Sequence, residues 1–131
     1  MLDRIRRGTR GTAAIEFGLV LPLLLIVLVG IIDYGHIHFT RLTMTNAARE
    51  GARVGVTLPA EQAQAAAIAA ADSYLDRAGV EATVVATTPS DADPTVTVTI
   101  TIDPFSPLIG LVPTPDRLAV SASMRWELAK P

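Results

Sequence analysis

The chain has 131 residues, of which half are hydrophobic, a formal net charge of −2 and no cysteine. Its length allows one membrane helix and one small domain at most. The lack of cysteine excludes a disulfide framework, thiolate metal sites, a cysteine nucleophile and a lipid-modified cysteine. The arginines near the N-terminus are too few, and too close to an apolar run, for a nucleic-acid-binding surface, so we expect no nucleic acid partner.

Residues 1–11 form a basic leader with four arginines and one acid, whereas the rest of the chain carries seven basic and twelve acidic residues. No charge lies between Glu16 and Asp33, and a helix over residues 12–33 spans about 30 Å, the thickness of the hydrocarbon core of a bilayer. The positive-inside rule places such a leader in the cytoplasm. We therefore expect a single-pass protein of the cytoplasmic (inner) membrane, embedded in the lipid bilayer, with a periplasmic or extracellular C-terminal domain.

Glu16 lies inside this apolar run, where a carboxylate is costly and usually has a partner. The basic leader and the apolar run together have three alternative interpretations. They could be a cleaved secretory signal, which the residues after Ile32 fit poorly, or an uncleaved signal anchor. The third alternative is a segment that is trimmed after Gly11. After trimming, Thr12 would carry the new ammonium and Glu16 would be the fifth residue. We hypothesise that this ammonium pairs with Glu16 of a neighbouring subunit and sets the subunit register.

The segment from Gly11 to Phe17 resembles the prepilin-peptidase site of Flp-type pilins and pseudopilins, in which a glycine is followed five residues later by Glu and an aromatic residue. The longer stretch from Thr12 to Arg53, about a third of the chain, resembles the TadE-like family, the minor pseudopilins of tight-adherence (Tad/Flp) pilus systems. Phe17 stands where major Flp pilins usually have Tyr, which favours a minor member. The residues that carry the longer resemblance are Ala13, Ala14, Ile15, Glu16, Phe17, Pro22, Gly30, Asp33, Gly35 and the run 46–53.

The resemblance implies a peptidase cleavage site made of Gly11, Thr12, Glu16 and Phe17. It also implies that the partners are a prepilin peptidase, other pilin or pseudopilin subunits, and pilus assembly proteins.

Pro22 predicts a kink rather than a break in the membrane helix, because Gly18, four residues earlier, lessens crowding against the proline ring. No proline follows before Pro59, so we expect residues 34–56 to continue the helix outside the membrane.

Small residues recur every fourth position in this continuation, a spacing that lets another backbone approach closely. The approaching backbone could belong to the same domain or to another subunit. The subunit packing candidates are Glu16, Ala47, Gly51 and Gly55.

His36 and His38 point about 200° apart on a helix and cannot hold one metal ion there, so we expect no metal site. Their position beside Tyr34 and Phe39 is typical of residues at a membrane–water interface. Asp33 marks the point at which the helix leaves the bilayer.

Residues 57–131 predict a small exported domain. Proline and acid at Pro59 and Glu61 favour a helix start, and Gly79 suits the C-terminal cap of a helix that ends at Ala78. The predicted apolar stripe of this helix comprises Ile68, Ala71, Leu75 and Ala78.

A period of two replaces the helical period after Gly79. Residues 95–102 alternate threonine with Val or Ile, residues 120–126 alternate likewise, and residues 82–87 form a weaker third strand. The loop 88–94 joins the first two strands as a hairpin. Its Asp91 and Asp93 are possible calcium ligands, although a solvated turn is the favoured interpretation.

The segment Pro104–Pro115 is too long and too apolar for a simple hairpin turn. It either covers the end of the sheet, which we favour, or presents an apolar patch to a partner.

The sequence therefore predicts an α+β fold: a long N-terminal transmembrane helix continues into a small exported domain with a second helix and a three-stranded antiparallel sheet. The resemblance implies a pilin-like architecture. No catalytic constellation is present, so we expect neither an enzyme nor a cofactor. The expected function is that of a minor pseudopilin in Tad/Flp-type pilus assembly, processed after Gly11. The alternative is an uncleaved, single-pass membrane-anchored binding or adaptor module of the cell envelope, with an anchored enzyme a third alternative.

Overall fold

A single helix accounts for the first part of the chain, and a second helix and three strands follow it. The computed structural model describes residues 2–90 and 92–126, with side chains from residue 11 onward. The two helices and the antiparallel sheet confirm the predicted α+β class. The elements are α1 (Leu2–Gly55), α2 (Ala60–Ala78), β1 (Thr83–Ala86), β2 (Thr95–Ile102) and β3 (Leu118–Arg125).

Helix α1 has two halves with different surroundings. Pro22 lies inside the helix without ending it. Residues 11–32 are exposed or half-buried and almost all apolar, whereas one face of the helix is buried from Asp33 onward. A long apolar helix that the protein itself does not cover is a candidate membrane span by length and composition. The second half of α1 is instead an element of the domain core.

Helix α2 begins directly after Pro59, as predicted, and ends at a left-handed Gly79 with φ of 67°. The Gly79 N–H donates to Asp76 O, and the Val80 N–H donates to Leu75 O, which satisfies carbonyls at the helix end. The buried face differs from the predicted stripe: Ile68 and Ala78 are only half-buried. The residues that α2 buries are Ala63, Ala67, Ala71 and Leu75.

Strand β2 is the centre of the sheet, whose order is β1-β2-β3 with both pairings antiparallel. Val96, Val98 and Ile100 of β2 are buried and Ile102 is half-buried, whereas the threonines face the opposite side, as the alternation predicts. On that side, the Thr97 and Ser123 hydroxyls hydrogen-bond at 2.8 Å. The register pairs Val98 with Ala122 and Ile100 with Val120, so one continuous apolar face results.

The apolar face of the sheet packs against both helices. Two side-chain hydrogen bonds attach the sheet to the helices at the end of the sheet where the β1–β2 hairpin lies. The Gln64 side chain on α2 donates to Ala86 O of β1, and the Trp126 indole N–H donates to Leu58 O in the link between the helices. The most completely buried large side chains of the core are Met44, Leu75, Val96, Val98, Ile100 and Leu118.

Candidate functional site

The four predicted cleavage-site residues lie on the exposed part of α1. Gly11, Thr12, Glu16 and Phe17 are all helical and exposed, and a Cβ on Gly11 would meet nothing within 4 Å. Thr12 and Glu16 are four residues apart and therefore share a face of the helix. Among the residues whose side chains the structure describes, none forms a hydrogen bond or ion pair with Glu16. A carboxylate inside an apolar span usually has a partner.

The other subunit packing candidates are enclosed within the chain itself. Ala47 is fully buried, and Gly51 and Gly55 face α2 and β2. A Cβ on Gly51 would lie 2.6 Å from Ala67 O, and a Cβ on Gly55 would lie 2.9 Å from a Val96 methyl. The close approach that the spacing predicts is real, but its partner is the same domain. In this conformation the three residues pack within their own domain, and their role as subunit contacts remains a prediction.

The exposed face of the same helical segment carries an ion pair. Arg53 donates to both carboxylate oxygens of Glu50, at 2.9 and 2.7 Å. This hydrogen bonding lowers the pKa of Glu50 and raises the pKa of Arg53. The pairing therefore favours the fold above the ordinary pKa of a glutamate, and this contribution disappears as the pH falls through the lowered value. Because both groups are exposed, the contribution is small.

Asp33 has a role that the sequence did not indicate. Its side chain is fully buried, and its two oxygens accept the backbone N–H groups of Ile109 at 2.8 Å and Gly110 at 3.2 Å. Gly110 has φ of 77°, a conformation that costs a residue with a Cβ. The turn thus aims two successive donors at one carboxylate. Such charge-assisted bonds are stronger than those between neutral groups.

We call the segment that provides these donors, residues 104–115, the apolar loop. The loop runs along α1 towards the N-terminus of that helix and then turns back, as three contacts show. The Phe105 ring stacks on His36 with 5.6 Å between centroids. Val112 is next to Gly30, where an added Cβ would lie 3.6 Å from a Val112 methyl.

The Tyr34 hydroxyl donates to Pro113 O at 3.4 Å, which marks the returning limb. Gly30 and Tyr34 are four residues apart, about 6 Å along the helix axis, so two adjacent loop residues contact one short stretch of α1. Because Val112 lies next to Gly30, and Ile109 and Gly110 bind Asp33, the tip of the loop lies beside the end of the apolar run.

The two sequence-based alternatives for the apolar loop are each partly realised. Phe105 is buried against the domain, so the base of the loop covers the end of the sheet. The tip remains exposed, at 65% for Leu108, 45% for Ile109 and 70% for Leu111.

The histidines are part of this region but form no metal cluster. His36 packs on Phe105, and His38 borders a shallow groove with Tyr34, Arg41 and Pro115. Among the described residues, no group of three or more His, Cys, Asp or Glu side chains is placed to hold a metal ion. Asp91, one of the two aspartates considered for calcium, lies outside the described residues.

Residues 11–53 match the family model described as TadE-like protein. This segment is TadE-like. The resemblance of residues 12–53 to the TadE-like family is thereby confirmed for this segment. The TadE-like segment begins at Gly11, includes the whole candidate span, and ends two residues before α1 does. It therefore contains Glu16, Asp33 and all of the α1 face that packs on α2 except its end at Gly55, but none of the sheet.

The searches of curated proteins and of solved structures found no significant match.

Proposed function

We propose that this chain is a minor pseudopilin that takes part in Tad/Flp-type pilus assembly. It is inserted in the cytoplasmic membrane with its N-terminus in the cytoplasm, and a prepilin peptidase cuts it after Gly11. The observation that carries the proposal is the TadE-like match over residues 11–53. Its partners are then the peptidase, other pilin or pseudopilin subunits, and pilus assembly proteins.

The structure of the N-terminal segment is compatible with this role. Gly11 and Thr12 are exposed on α1, where a membrane peptidase could reach them after local unwinding. Glu16 has no partner among the described side chains, so the ammonium that cleavage creates on a neighbouring subunit would offset the cost of placing its charge in lipid.

The mass of the mature chain tests the processing step. In cells that contain the peptidase we expect the protein to lack residues 1–11, and Gly11→Val to retain them. Gly18→Val is the matched control, because neither glycine has a neighbour within 4 Å of an added Cβ. Gly18→Val is expected to be trimmed normally. A full-length mass for the unaltered protein would instead support the alternative of an uncleaved membrane-anchored binding or adaptor module.

The role of Glu16 is tested separately from processing. We expect Glu16→Gln to be trimmed normally but to be recovered at least about tenfold less with other pilus subunits, the loss that about 1.4 kcal/mol produces. Glu61→Gln, at an exposed position of α2, is the matched control. Normal assembly of Glu16→Gln would show that the proposed charge pairing is wrong.

A further inference from the structure

We propose that the tip of the apolar loop inserts into the exported-side interface of the membrane that α1 spans, as a second point of attachment. The inference rests on the membrane span of the proposed function and adds a lipid-binding surface on the exported domain. The occupant of this surface is the acyl and glycerol region of the lipid bilayer itself.

The composition of the apolar loop is that of a membrane-inserting segment. No charged residue occurs from Pro104 to Pro115, although Asp103 and Asp116 flank the loop directly. Its tip exposes two leucines and one isoleucine, which water solvates poorly and lipid accepts. Apolar residues that are exposed side by side and bordered by charges mark an interaction surface.

The height of the tip matches the boundary of the candidate span. Val112 contacts α1 at Gly30, inside the uncharged run, and Ile109 and Gly110 bind Asp33 at its end. Residues of α1 close to these contacts, such as Ile31 at 65% exposure, are not covered by the rest of the protein. The apolar surface of the loop is therefore continuous with that of the span. If α1 crosses a bilayer, lipid already surrounds the helix at the place where the tip is held.

The polar backbone of the loop is also suited to this depth. An unpaired N–H group in an apolar medium costs several kcal/mol. Asp33 accepts two N–H groups at the tip, and the prolines at 104, 107, 113 and 115 have none to satisfy. In turn, the loop encloses the Asp33 carboxylate, which would otherwise face lipid at the membrane boundary. The remaining N–H groups limit the insertion to the interface, where water is still available.

The absence of native cysteine allows the proposal to be tested by site-specific labelling of the full-length chain. An environment-sensitive fluorophore is attached to Leu108→Cys or Leu111→Cys, in vesicles of phosphatidylcholine and phosphatidylglycerol. Ile26→Cys, in the middle of the span, reports on membrane insertion of α1. Ala92→Cys is the aqueous control, because the β1–β2 hairpin lies at the other end of β2, about 25 Å away.

Nitroxide lipids labelled near the headgroup are expected to quench both loop positions, and lipids labelled deep in the acyl chain to quench Ile26→Cys. Aqueous iodide should quench the loop positions about fivefold less than Ala92→Cys, because interfacial insertion removes apolar groups from water. Two loop positions are used so that a local disturbance at one does not decide the result.

Lipid-quenched Ile26→Cys together with iodide-accessible loop positions would overturn the loop proposal while leaving the span intact. A water-exposed Ile26→Cys would refute the span and with it the inference, whereas failure of the pseudopilin role alone would appear in the mass of the mature chain. Loop labels that are protected from both quenchers, and lose this protection when the protein is diluted in lipid, would overturn the proposal in favour of contact between copies.

Discussion

At the scale of single residues, Asp33 is buried completely, and the cost of burying a carboxylate is offset only if its oxygens are bonded. Two backbone donors from the apolar loop meet this need. The two donors lie 76 and 77 positions after Asp33 in the chain, so this side chain ties the tip of the loop to α1.

We therefore expect replacement of Asp33 by Asn to weaken the attachment of the loop tip. An amide offers one acceptor oxygen and turns donor hydrogens towards the second N–H, so we expect a loss of about 2 kcal/mol. The Ile109 and Gly110 amides should then exchange with deuterium about 30-fold faster, which NMR of the full chain in micelles can measure.

Asp103→Asn is the control for this variant, because Asp103 is exposed and lies 3.8 Å from Arg117 in a weak ion pair. Its exchange rates at 109 and 110 should be unchanged. Equal rates in Asp33→Asn and the unaltered chain would contradict the assigned role of Asp33.

Gly51 shows a steric constraint at the same scale. An added methyl group would lie 2.6 Å from Ala67 O, a backbone atom that cannot move without shifting α2. We expect Gly51→Ala to lower the free energy of unfolding by about 2 kcal/mol. Denaturant unfolding, followed through the fluorescence of the single tryptophan, Trp126, provides the measurement.

Gly35→Ala is the matched control on α1, since nothing lies within 4 Å of its added Cβ. Alanine is the better helix former, so this change should raise stability by up to about 1 kcal/mol. If both substitutions changed the free energy of unfolding in the same direction, tight packing at Gly51 would not explain the effect of Gly51→Ala.

At the scale of elements, the bounds of α2 and β2 follow from local chemistry. Pro59 and Gly79 fix the two ends of α2, and strict alternation fixes all eight residues of β2. Which face of α2 is buried could not be derived in the same way. The glycines of α1 have no side chains, so the alanines of α2 make the closest contact with α1. Ile68 therefore lies at the edge of the helix–helix contact and is only half-buried.

The end of α2 provides a prediction at this scale. Gly79 has a left-handed conformation with open space around an added Cβ, so Gly79→Ala isolates the backbone effect from any clash. We expect a loss of about 1 kcal/mol, observed as a lower denaturation midpoint with an unchanged slope. A neutral result would mean that the helix ends without the left-handed turn.

The position of the apolar loop was only half predictable. Its length and apolar character indicated a covering or a patch, and both are found. The hydrogen bonds to Asp33 could not be predicted, because they depend on how α1 packs against the sheet and leave no periodic pattern in the sequence. The available signal was an uncompensated acid at the end of an apolar run, together with a glycine among apolar residues. In the same way, the small residues at 47, 51 and 55 predicted a close contact but not its partner.

At the scale of the whole molecule, the domain uses part of α1 as its core. The sequence placed the exported domain at residues 57–131, but Met44, Ala48 and Ala52, all fully buried, come before that boundary. A fragment of residues 57–131 would therefore lack one layer of its core.

We accordingly expect a fragment of residues 30–131 to unfold cooperatively, and a fragment of residues 57–131 not to do so. Removal of the α1 segment uncovers the apolar face of the sheet, and a sheet with a single helix of this size buries too little surface. Circular dichroism and Trp126 fluorescence during urea unfolding would distinguish them. A cooperative transition in the shorter fragment would show that α1 is dispensable for folding.

The continuity of α1 has a mechanical consequence. No proline interrupts the helix between Pro22 and its end at Gly55, and the same rod continues from the apolar run into the layer beneath the sheet. Rotation or axial displacement of this rod is therefore transmitted to the sheet without a hinge. If α1 spans the bilayer and the loop tip inserts as we propose, a force that pulls α1 out of the membrane would withdraw the tip at the same moment, and both lipid contacts would be lost in one step.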